Sequence, residues 1–150
     1  NIFFQGSQGN DVFNGSRLFL ESLQGGDNQL AVINDRWQQP GDITNIPAAT
    51  NDPEQAASNV RVSSRFIEDG SYLRLKNLTL GYNFHIGDRL KNSISGFRVY
   101  FTGQNLFTLT KYSGLDPEVN YRGNDNAVIG TDFFTFPQAR IYSFGLNLTF

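Results

Sequence analysis

The sequence predicts an all-β chain, a segment of an antiparallel transmembrane β-barrel with about four strands and long extracellular loops. The first reason is an alternating pattern in the last stretch, where every second residue is apolar: Tyr142, Phe144, Leu146, Leu148 and Phe150. Successive strand residues point to opposite faces, so this stretch presents one apolar face. The second reason is that the connections between expected strands alternate long, short, long, as in outer-membrane barrels.

The composition agrees with β structure and excludes several classes of function. The chain has 14 Phe, 6 Tyr and 15 Gly, and only 17% of its residues are charged. This balance favours strands joined by polar loops. No stretch approaches the roughly 18 apolar residues that a transmembrane helix needs. The net charge of −2 argues against nucleic acid as a partner, and the absence of Cys excludes disulfides and thiol chemistry.

The chain reads as part of a longer protein. It contains no Met, it has no signal peptide, and residues 1–6 look like the middle of a strand. We therefore expect residues 1–150 to be the C-terminal part of a barrel.

Four strands are expected from period-two patterning, near residues 1–6, 71–85, 96–109 and 139–150. In the second strand Leu73 and Leu75 have one parity, whereas Leu78 and Leu80 have the other. A β-bulge near Lys76 would return both pairs to the same face.

The connections are expected to carry little regular structure. Residues 7–70 read as a long irregular loop with short helical turns at 17–23, 29–37 and 52–57. The first of these turns should stop at Gly25-Gly26, because Gly permits the left-handed cap. Residues 85–96 form the short connection, and residues 109–138 the second long loop. Such long loops are uncommon in compact domains unless they are functional.

The pattern also predicts how the strands sit in a bilayer. The short turn would lie in the periplasm and the two long loops outside the cell. Aromatic residues would then occupy two interfacial levels, the periplasmic level with Phe84, Phe97 and Phe150 and the outer level with Tyr72 and Tyr142.

Each face of the sheet has an expected environment. Nine apolar residues should be exposed together on the convex side and covered by lipid: Leu78, Leu80, Tyr82, Phe84, Val99, Phe101, Phe144, Leu146 and Leu148. Five polar residues should face the lumen: Arg74, Lys76, Arg98, Tyr100 and Gln104. Arg or Lys facing lipid costs about 2–4 kcal/mol at the bilayer midplane, which is why we expect them to point inward.

An alternative interpretation remains open at this point. Alternating patterns also describe a soluble antiparallel sheet with one face on a core. The alternative is therefore a soluble β-sandwich that binds carbohydrate. A compact two-sheet core holding the apolar residues would favour it.

Several motifs resemble the SusC/RagA family of TonB-linked outer-membrane proteins. They are residues 64–82 (SRFIEDGSYLRLKNLTLGY), 103–107 (GQNLF), 112–118 (YSGLDPE) and 136–140 (FPQAR), followed by the final strand. They span most of the chain in the family's order.

The resemblance implies a location, partners and a function for the parent protein. Members of the family are 22-stranded barrels in the cell outer membrane, filled by an N-terminal plug. They import glycans or peptides with energy delivered by TonB, beneath a SusD-like surface lipoprotein. The barrel-assembly machinery would read the final strand, with its alternating residues 142 to 150, as an assembly signal. This chain lacks the plug and the TonB-binding region, so transport would belong to the longer parent.

No catalytic, cofactor or metal site is expected. His85 is the only His and has no partners at a recognisable spacing. Asp125 and Asp132, with Asn124 and Asn126, supply oxygens without the calcium-loop spacing. The candidate loop contacts are therefore aromatic and basic residues: Arg36, Trp37, Tyr121 and Arg122. Trp37 could stack on a sugar ring or a partner, or pin its own loop. Tyr121 and Arg122, with Phe133 and Phe134, could pack on the lid lipoprotein or fold the second loop.

Overall fold

A computed structural model describes residues 1–24, 28–87, 93–123 and 125–150. The chain divides into two compact units. The first, the sheet unit, contains Asn1–Gln8, Ser71–Lys111 and Pro137–Phe150. The second, the loop unit, contains Gly9–Gly70 and Tyr112–Phe136.

Strands dominate the described residues. In chain order they are β1 (Ile2–Ser7), β2 (Asp11–Asn14), β3 (Ile67–Asp69), β4 (Tyr72–Phe84), β5 (Gly96–Thr110), β6 (Thr131–Asp132) and β7 (Ile141–Thr149). The α-helices are α1 (Ser16–Leu20) and α2 (Pro53–Asn59), and 3-10 helices cover Ala31–Asp35, Ser64–Phe66 and Asn126–Val128. Among the described residues, no helix has the length and hydropathy of a membrane-spanning helix.

The sheet unit is one antiparallel sheet of four strands in the order β1-β4-β5-β7. The four predicted strands are therefore confirmed, with bounds that differ from the prediction by a few residues at most. In this chain β1 and β7 are the outer strands, so the sheet is open.

A β-bulge interrupts the sheet at Lys76, as the change of parity in the sequence predicted. Phe3 pairs with Asn77 and Phe4 with Leu75, which leaves Lys76 without an opposite residue on β1. On the β5 side the register also shifts between Leu75 and Asn77. Because the bulge adds one residue, Leu75 and Leu78 return to the same face.

The loop unit contains a second sheet that the sequence analysis did not predict. Its strand order is β3-β2-β6, with β2 antiparallel to β3 and parallel to β6. Residues 7–70 were expected to be irregular, and this expectation is wrong for β2 and β3. These strands are four and three residues long, too short to show a period-two pattern.

The structure has a helix at each of the three expected helical turns, but the bounds or the helix type differ from the prediction. The turn expected at 17–23 is α1, which begins at Ser16 and ends at Leu20, and its expected stop at Gly25-Gly26 lies outside the described residues. The turn expected at 29–37 is a 3-10 helix rather than an α-helix. The turn at 52–57 is confirmed as α2, where the Asp52 side chain accepts hydrogen bonds from the backbone N–H groups of Glu54 and Gln55.

The loop unit has its own small core. Val12, Tyr112 and Val119 form a buried cluster, and Phe66 is also fully buried. Several other buried residues of this unit are polar, and Asn14, Glu21 and Asp132 are almost inaccessible to solvent. Buried polar groups need hydrogen-bond partners, so side-chain bonding has a large part in holding this unit together.

Candidate functional site

The sheet unit presents an apolar face built from cross-strand rows. Residues directly opposite each other on neighbouring strands share a face. The registers of β4, β5 and β7 therefore place three rows side by side: Leu80–Phe101–Phe144, Tyr82–Val99–Leu146 and Phe84–Phe97–Leu148. Ring contacts tie the rows together, with centroids 5.0 Å apart for Phe84–Phe97 and for Phe101–Phe144.

Most of this face is open to solvent in the isolated chain. Of the nine residues predicted to be exposed together, Leu78 and Phe101 are half-buried and the other seven are exposed. Phe144 has 80% of its surface accessible. None of the nine lies in a core of the described residues. A contiguous apolar surface of this kind is unusual on soluble monomers and marks a surface that something apolar covers.

The opposite face of the same strands is polar. Its rows are Thr79–Thr102–Ser143, Gly81–Tyr100–Gly145 and Asn83–Arg98–Asn147. Arg74 belongs to this face, where its Nε donates a hydrogen bond to Thr108 Oγ1 at 2.9 Å. Arg74, Arg98, Tyr100 and Gln104, which were predicted to face the lumen, all lie on this polar face. That this face lines a lumen stays a prediction. Lys76 is different, because it occupies the bulge.

Tyr72 corrects one prediction about the aromatic levels. It has the parity of Arg74, whose guanidinium carbon lies 5.5 Å from the Tyr72 ring centroid. Gln5 Nε2 donates a hydrogen bond to the Tyr72 hydroxyl at 3.4 Å. Tyr72 therefore faces the polar side and is not part of an aromatic row on the apolar face.

The residues predicted as an assembly signal lie along β7 and just beyond it. Tyr142, Phe144, Leu146 and Leu148 share the apolar face and are exposed, and Phe150 is 87% exposed. Their role in assembly stays a prediction.

In the loop unit, Glu68 is the centre of a hydrogen-bond network. Its carboxylate accepts from Ser113 N and Oγ, both at 2.8 Å, and from Asn14 Nδ2 and Arg17 Nη1, both at 3.0 Å. Burial opposes the ionisation of Glu68, but the donors of Ser113, Arg17 and Asn14 outweigh it and lower the pKa of this carboxyl group. The network joins the two long loops, because Glu68 belongs to the first and Ser113 to the second.

Arg17 links this network to Glu21. Its Nε and Nη2 atoms donate to the two carboxylate oxygens of Glu21 at 2.5 and 3.1 Å. The bond to Glu21 raises the pKa of Arg17 against the opposing effect of burial, with further help from Glu68. Bidentate pairs of this type fix geometry as well as charge.

Tyr112 and Asp132 form a second buried polar contact. The Tyr112 hydroxyl donates to Asp132 Oδ2 at 2.6 Å, and Thr135 N donates to Asp132 Oδ1 at 2.9 Å. Burial, followed by the bond to Asp132, raises the pKa of Tyr112. Asp132 therefore has a structural partner on each oxygen.

Phe133, in the second long loop, is the centre of an aromatic cluster. The Phe133 ring contacts Tyr121 at 5.2 Å and Phe13 at 6.1 Å between centroids. The Arg122 guanidinium lies 5.4 Å from the Tyr121 ring and pairs with Asp125 at 3.4 Å. The cluster thus folds the loop. Tyr121 and Arg122 are still exposed, and contact with a lid protein stays a prediction for them.

Trp37 lies at a cleft of about 420 Å³. The cleft is lined by Trp37, Thr44, Asn45, Ile46, Pro47, Ala48, Ser58, Asn59, Ser63 and Arg65. Trp37 is 40% exposed, and its backbone N–H donates to Ile46 O at 3.0 Å. Arg36 does not line this cleft; its side chain bonds to Ile33 O at 3.5 Å. The basic residue that lines the same cleft as Trp37 is therefore Arg65.

The remaining polar candidates have roles within the loops. Within the described residues, no three His, Asp or Glu side chains form a group that could hold a metal ion. Asp125 Oδ1 accepts from Ala127 N at 3.0 Å, which makes it a cap of the 3-10 helix Asn126–Val128. Asn124 lies outside the described residues, and His85 is exposed after the end of β4.

Sequence reasoning from spacing missed Arg65, Glu68 and Ser113. Glu68 and Ser113 are 45 positions apart, and Arg65 lies 44 positions from Glu21, so no local pattern could connect these residues. The signal that pointed to them was the family resemblance of residues 64–82 and 112–118, which the structure brings together at Glu68 and Ser113.

Comparison with known proteins identifies relatives of the whole chain. No protein-family model matches the chain. TonB-dependent receptor P3 of Formosa agariphila is 38% identical over 154 residues, which covers all of this chain. TonB-dependent receptor SusC of Bacteroides thetaiotaomicron is 40% identical over 90 residues, which is 59% of this chain and 8% of SusC.

Solved structures agree with the sequence relatives. The RagAB peptide transporter matches 99% of this chain with a TM-score of 0.73 and 29% identity. The RagAB peptide importer in its "open-open" state matches with a TM-score of 0.74. The chain spans about 15% of the length of receptor P3 and of the RagAB chain. Together with the strand order and the two-faced sheet, these relationships show that the chain belongs to the SusC/RagA family of TonB-dependent receptors.

Proposed function

We propose that the chain is the C-terminal part of an outer-membrane barrel of 22 strands that imports glycans or peptides with energy from TonB. The sheet unit contributes four strands to the barrel wall. The remaining strands, the plug and the TonB-binding region belong to the rest of the receptor. The fold and activity of the whole receptor are inferred from the family.

The observation that carries this proposal is the exposed apolar face. The rows that contain Leu80, Tyr82 and Phe84 continue across β5 and β7 without a charged residue. The opposite face carries Arg74 and Arg98. A barrel wall between lipid and a polar lumen requires this division. Lipid cover would also remove the large apolar surface from water.

We propose an extracellular position for the two long loops, by analogy with the long outer loops of outer-membrane barrels. The loop unit holds both loops together through Glu68 and Ser113. We propose that its exposed aromatic and basic residues contact a SusD-like surface lipoprotein or the incoming substrate, with Arg36, Trp37, Tyr121 and Arg122 as candidates. The barrel-assembly machinery and outer-membrane lipid are the other proposed partners.

The alternative of a soluble carbohydrate-binding sandwich has less support. A sandwich would bury one face of each sheet in a common core. In the described residues Leu80, Phe144 and Leu146 are exposed instead. The relatives described above are receptors and transporters rather than enzymes.

Cysteine labelling of the full-length receptor in living cells tests the proposal. The chain has no native Cys, and any Cys in the rest of the receptor is first replaced by Ser, so that each single substitution reports one position. Ile43→Cys in the loop unit, where Ile43 is fully exposed, should react with a sulfonated, membrane-impermeant maleimide on intact cells. Leu80→Cys should stay unreactive in intact cells and in purified membranes, and should react after denaturation.

Two results would contradict the proposal. If Leu80→Cys in the folded receptor reacts as fast as Ile43→Cys, the apolar face is not covered by lipid. If Ile43→Cys reacts only after the cells are broken, the long loops are not outside. Labelling of denatured protein controls for expression of each variant.

A further inference from the structure

The four strands of the sheet unit carry positive charges only. Their charged residues are Arg74, Lys76 and Arg98, and β1, β4, β5 and β7 contain no Asp or Glu. The polar face of the sheet, which carries both arginines, therefore has no carboxylate of its own. A cation that is taken out of water needs an opposite charge or hydrogen-bond acceptors as compensation. The compensating charge for this face has to come from outside the four strands.

Of the two arginines on this face, Arg98 is the one without a partner in the described part of the chain. Arg74 is buried and donates to Thr108 Oγ1 at 2.9 Å. Arg98, in contrast, is exposed and forms no hydrogen bond or ion pair within the described residues. Its guanidinium has five N–H donors in a planar fork, which matches the two oxygens of a carboxylate. An acidic partner of the polar face is therefore expected to bind at Arg98.

The sheet gives Arg98 a defined setting. A Cβ atom at Gly81 would lie 2.8 Å from Nη2 and 3.1 Å from Nε of Arg98. The guanidinium therefore lies against the backbone of Gly81, in space that any larger residue would fill. Asn83 and Asn147 are the neighbours of Arg98 in its cross-strand row, one on each side. Amide donors beside a guanidinium make this row a surface that favours an anionic partner.

We infer that the row Asn83–Arg98–Asn147 binds a carboxylate from a segment of the same receptor that lies in the lumen, outside residues 1–150. The inference deepens the proposed function by naming the chemistry of a partner of the sheet, and it rests on that proposal only for a polar face that lines the lumen. The family resemblance implies that a plug fills the lumen. The charges of these strands add that the part of the plug facing this row carries Asp or Glu.

A permanent segment of the receptor fits this surface better than a passing anionic ligand. A charge that is fixed in the wall has to be compensated in the resting receptor as well, when no ligand is bound. Complementary charges also fix the register of two packed surfaces. The chain spans about 15% of the length of receptor P3, so a receptor of that size has ample chain to supply the acid.

Zero-length cross-linking of the purified, ligand-free, full-length receptor tests the inference. Arg98→Lys keeps the positive charge and supplies a primary amine. A water-soluble carbodiimide activates a carboxyl group that touches this amine. The amine then forms an amide bond, and the carboxyl oxygen leaves with the reagent as a urea. Mass spectrometry of the digest should show residue 98 joined to an Asp or Glu outside residues 1–150.

Gly87→Lys is the matched control, because Gly87 is exposed in the short connection that leads from β4 to β5; its amine should not join that segment. Failure of Arg98→Lys to form a link would overturn the inference, and so would a link only to an acid within residues 1–150. The same link in Gly87→Lys would overturn it too, because the acid would then react with any nearby amine.

Exchanging the two charges gives a second readout. Arg98→Glu should speed hydrogen exchange of the linked segment about five-fold or more, as expected for the loss of an ion pair. Replacing the mapped acid with Lys in the same receptor should restore slow exchange. If Arg98→Glu alone does not fold, recovery of folded receptor in the double variant is the equivalent result. A double variant no better than Arg98→Glu would contradict the ion pair. The cysteine labelling of Leu80 and Ile43 does not involve Arg98, so the proposed function survives if only this contact fails.

Discussion

The Tyr112 hydroxyl donates a 2.6 Å hydrogen bond to Asp132 Oδ2, and the two residues are separated by 20 positions. Tyr112 begins the second long loop and Asp132 ends β6, which pairs with β2. This contact therefore joins the start of the loop to the small sheet that organises the loop unit.

Replacing Tyr112 with Phe removes that donor and leaves a buried carboxylate oxygen without its partner. A hydrogen bond to a charged group contributes about 1.5–3 kcal/mol, so we expect local stability to fall by that amount. Hydrogen exchange of residues 112–135 in the full-length receptor measures the loss. Tyr121→Phe is the control, because the Tyr121 hydroxyl has no hydrogen bond within the described part of the chain. Similar exchange in the two variants would contradict the prediction.

Glu68 should make the stability of the loop unit depend on pH. Its folded-state pKa is lowered by hydrogen bonds from Ser113, Arg17 and Asn14 that exceed the effect of burial. An acid with a lowered pKa stabilises the fold above its unfolded pKa, about 4.3. That stabilisation is lost as the pH falls through the lower, folded-state value.

The measurement is pepsin cleavage of the loops at several pH values below 5, expressed as the ratio of Glu68→Gln to the unmodified receptor. At the upper end of this range we expect faster cleavage of Glu68→Gln, because the variant lacks the charge. The ratio should approach one at the lowest pH, where both side chains are neutral. A ratio that does not change with pH would rule out this role for Glu68.

Gly145 leaves room for the Tyr100 ring on the polar face of the sheet. A Cβ atom at Gly145 would lie 2.2 Å from Cζ of Tyr100. Gly145→Val should therefore overpack the site by about 1–3 kcal/mol and reduce the amount of folded receptor in outer membranes. Adding Tyr100→Ala should restore it. If the double variant folds no better than Gly145→Val, the clash lies elsewhere.

Asn105 has a φ of 51°, and its Nδ2 donates to Ala139 O at 3.0 Å. Asn105→Gly should keep the backbone and lose the hydrogen bond, whereas Asn105→Ala should lose both. We expect Ala to be about 1–2 kcal/mol less stable than Gly, because only Gly adopts positive φ without strain. Heat-induced loss of the compact form on gels would rank the two variants. The reverse order would exclude backbone strain as the cause.

The strands of the sheet unit were predictable because the alternation that defines each strand lies in consecutive residues. Alternation from Tyr142 to Leu148 defined the last strand, and the parity change at Lys76 located the bulge. Leu80 and Val99 could be assigned to one face from parity alone, since the period of a strand is two. Tyr72 was misplaced because its proposed level was judged by position along the strand without regard to parity.

The loop unit was less predictable because the residues that pair with each other in it lie far apart in the sequence. Strand β6 has two residues, and its identity depends on pairing with β2. Trp37 and Arg65 line one cleft, which depends on how the chain folds back between them. The motif at residues 112–118 indicated the family, but its physical role appears only once Ser113 lies against Glu68.

The central position of β2 in the three-stranded sheet also determines when the two long loops can finish folding. β2 lies near the start of the chain, whereas β6, one of its two neighbours in the sheet, lies more than 100 residues later. The bond from Phe134 N to Ser16 Oγ spans 118 positions. Contacts of such long range form late, because the entropy of closing the chain must be overcome first. The loop unit should therefore mature only after β5 has been synthesised and the second long loop has joined the first.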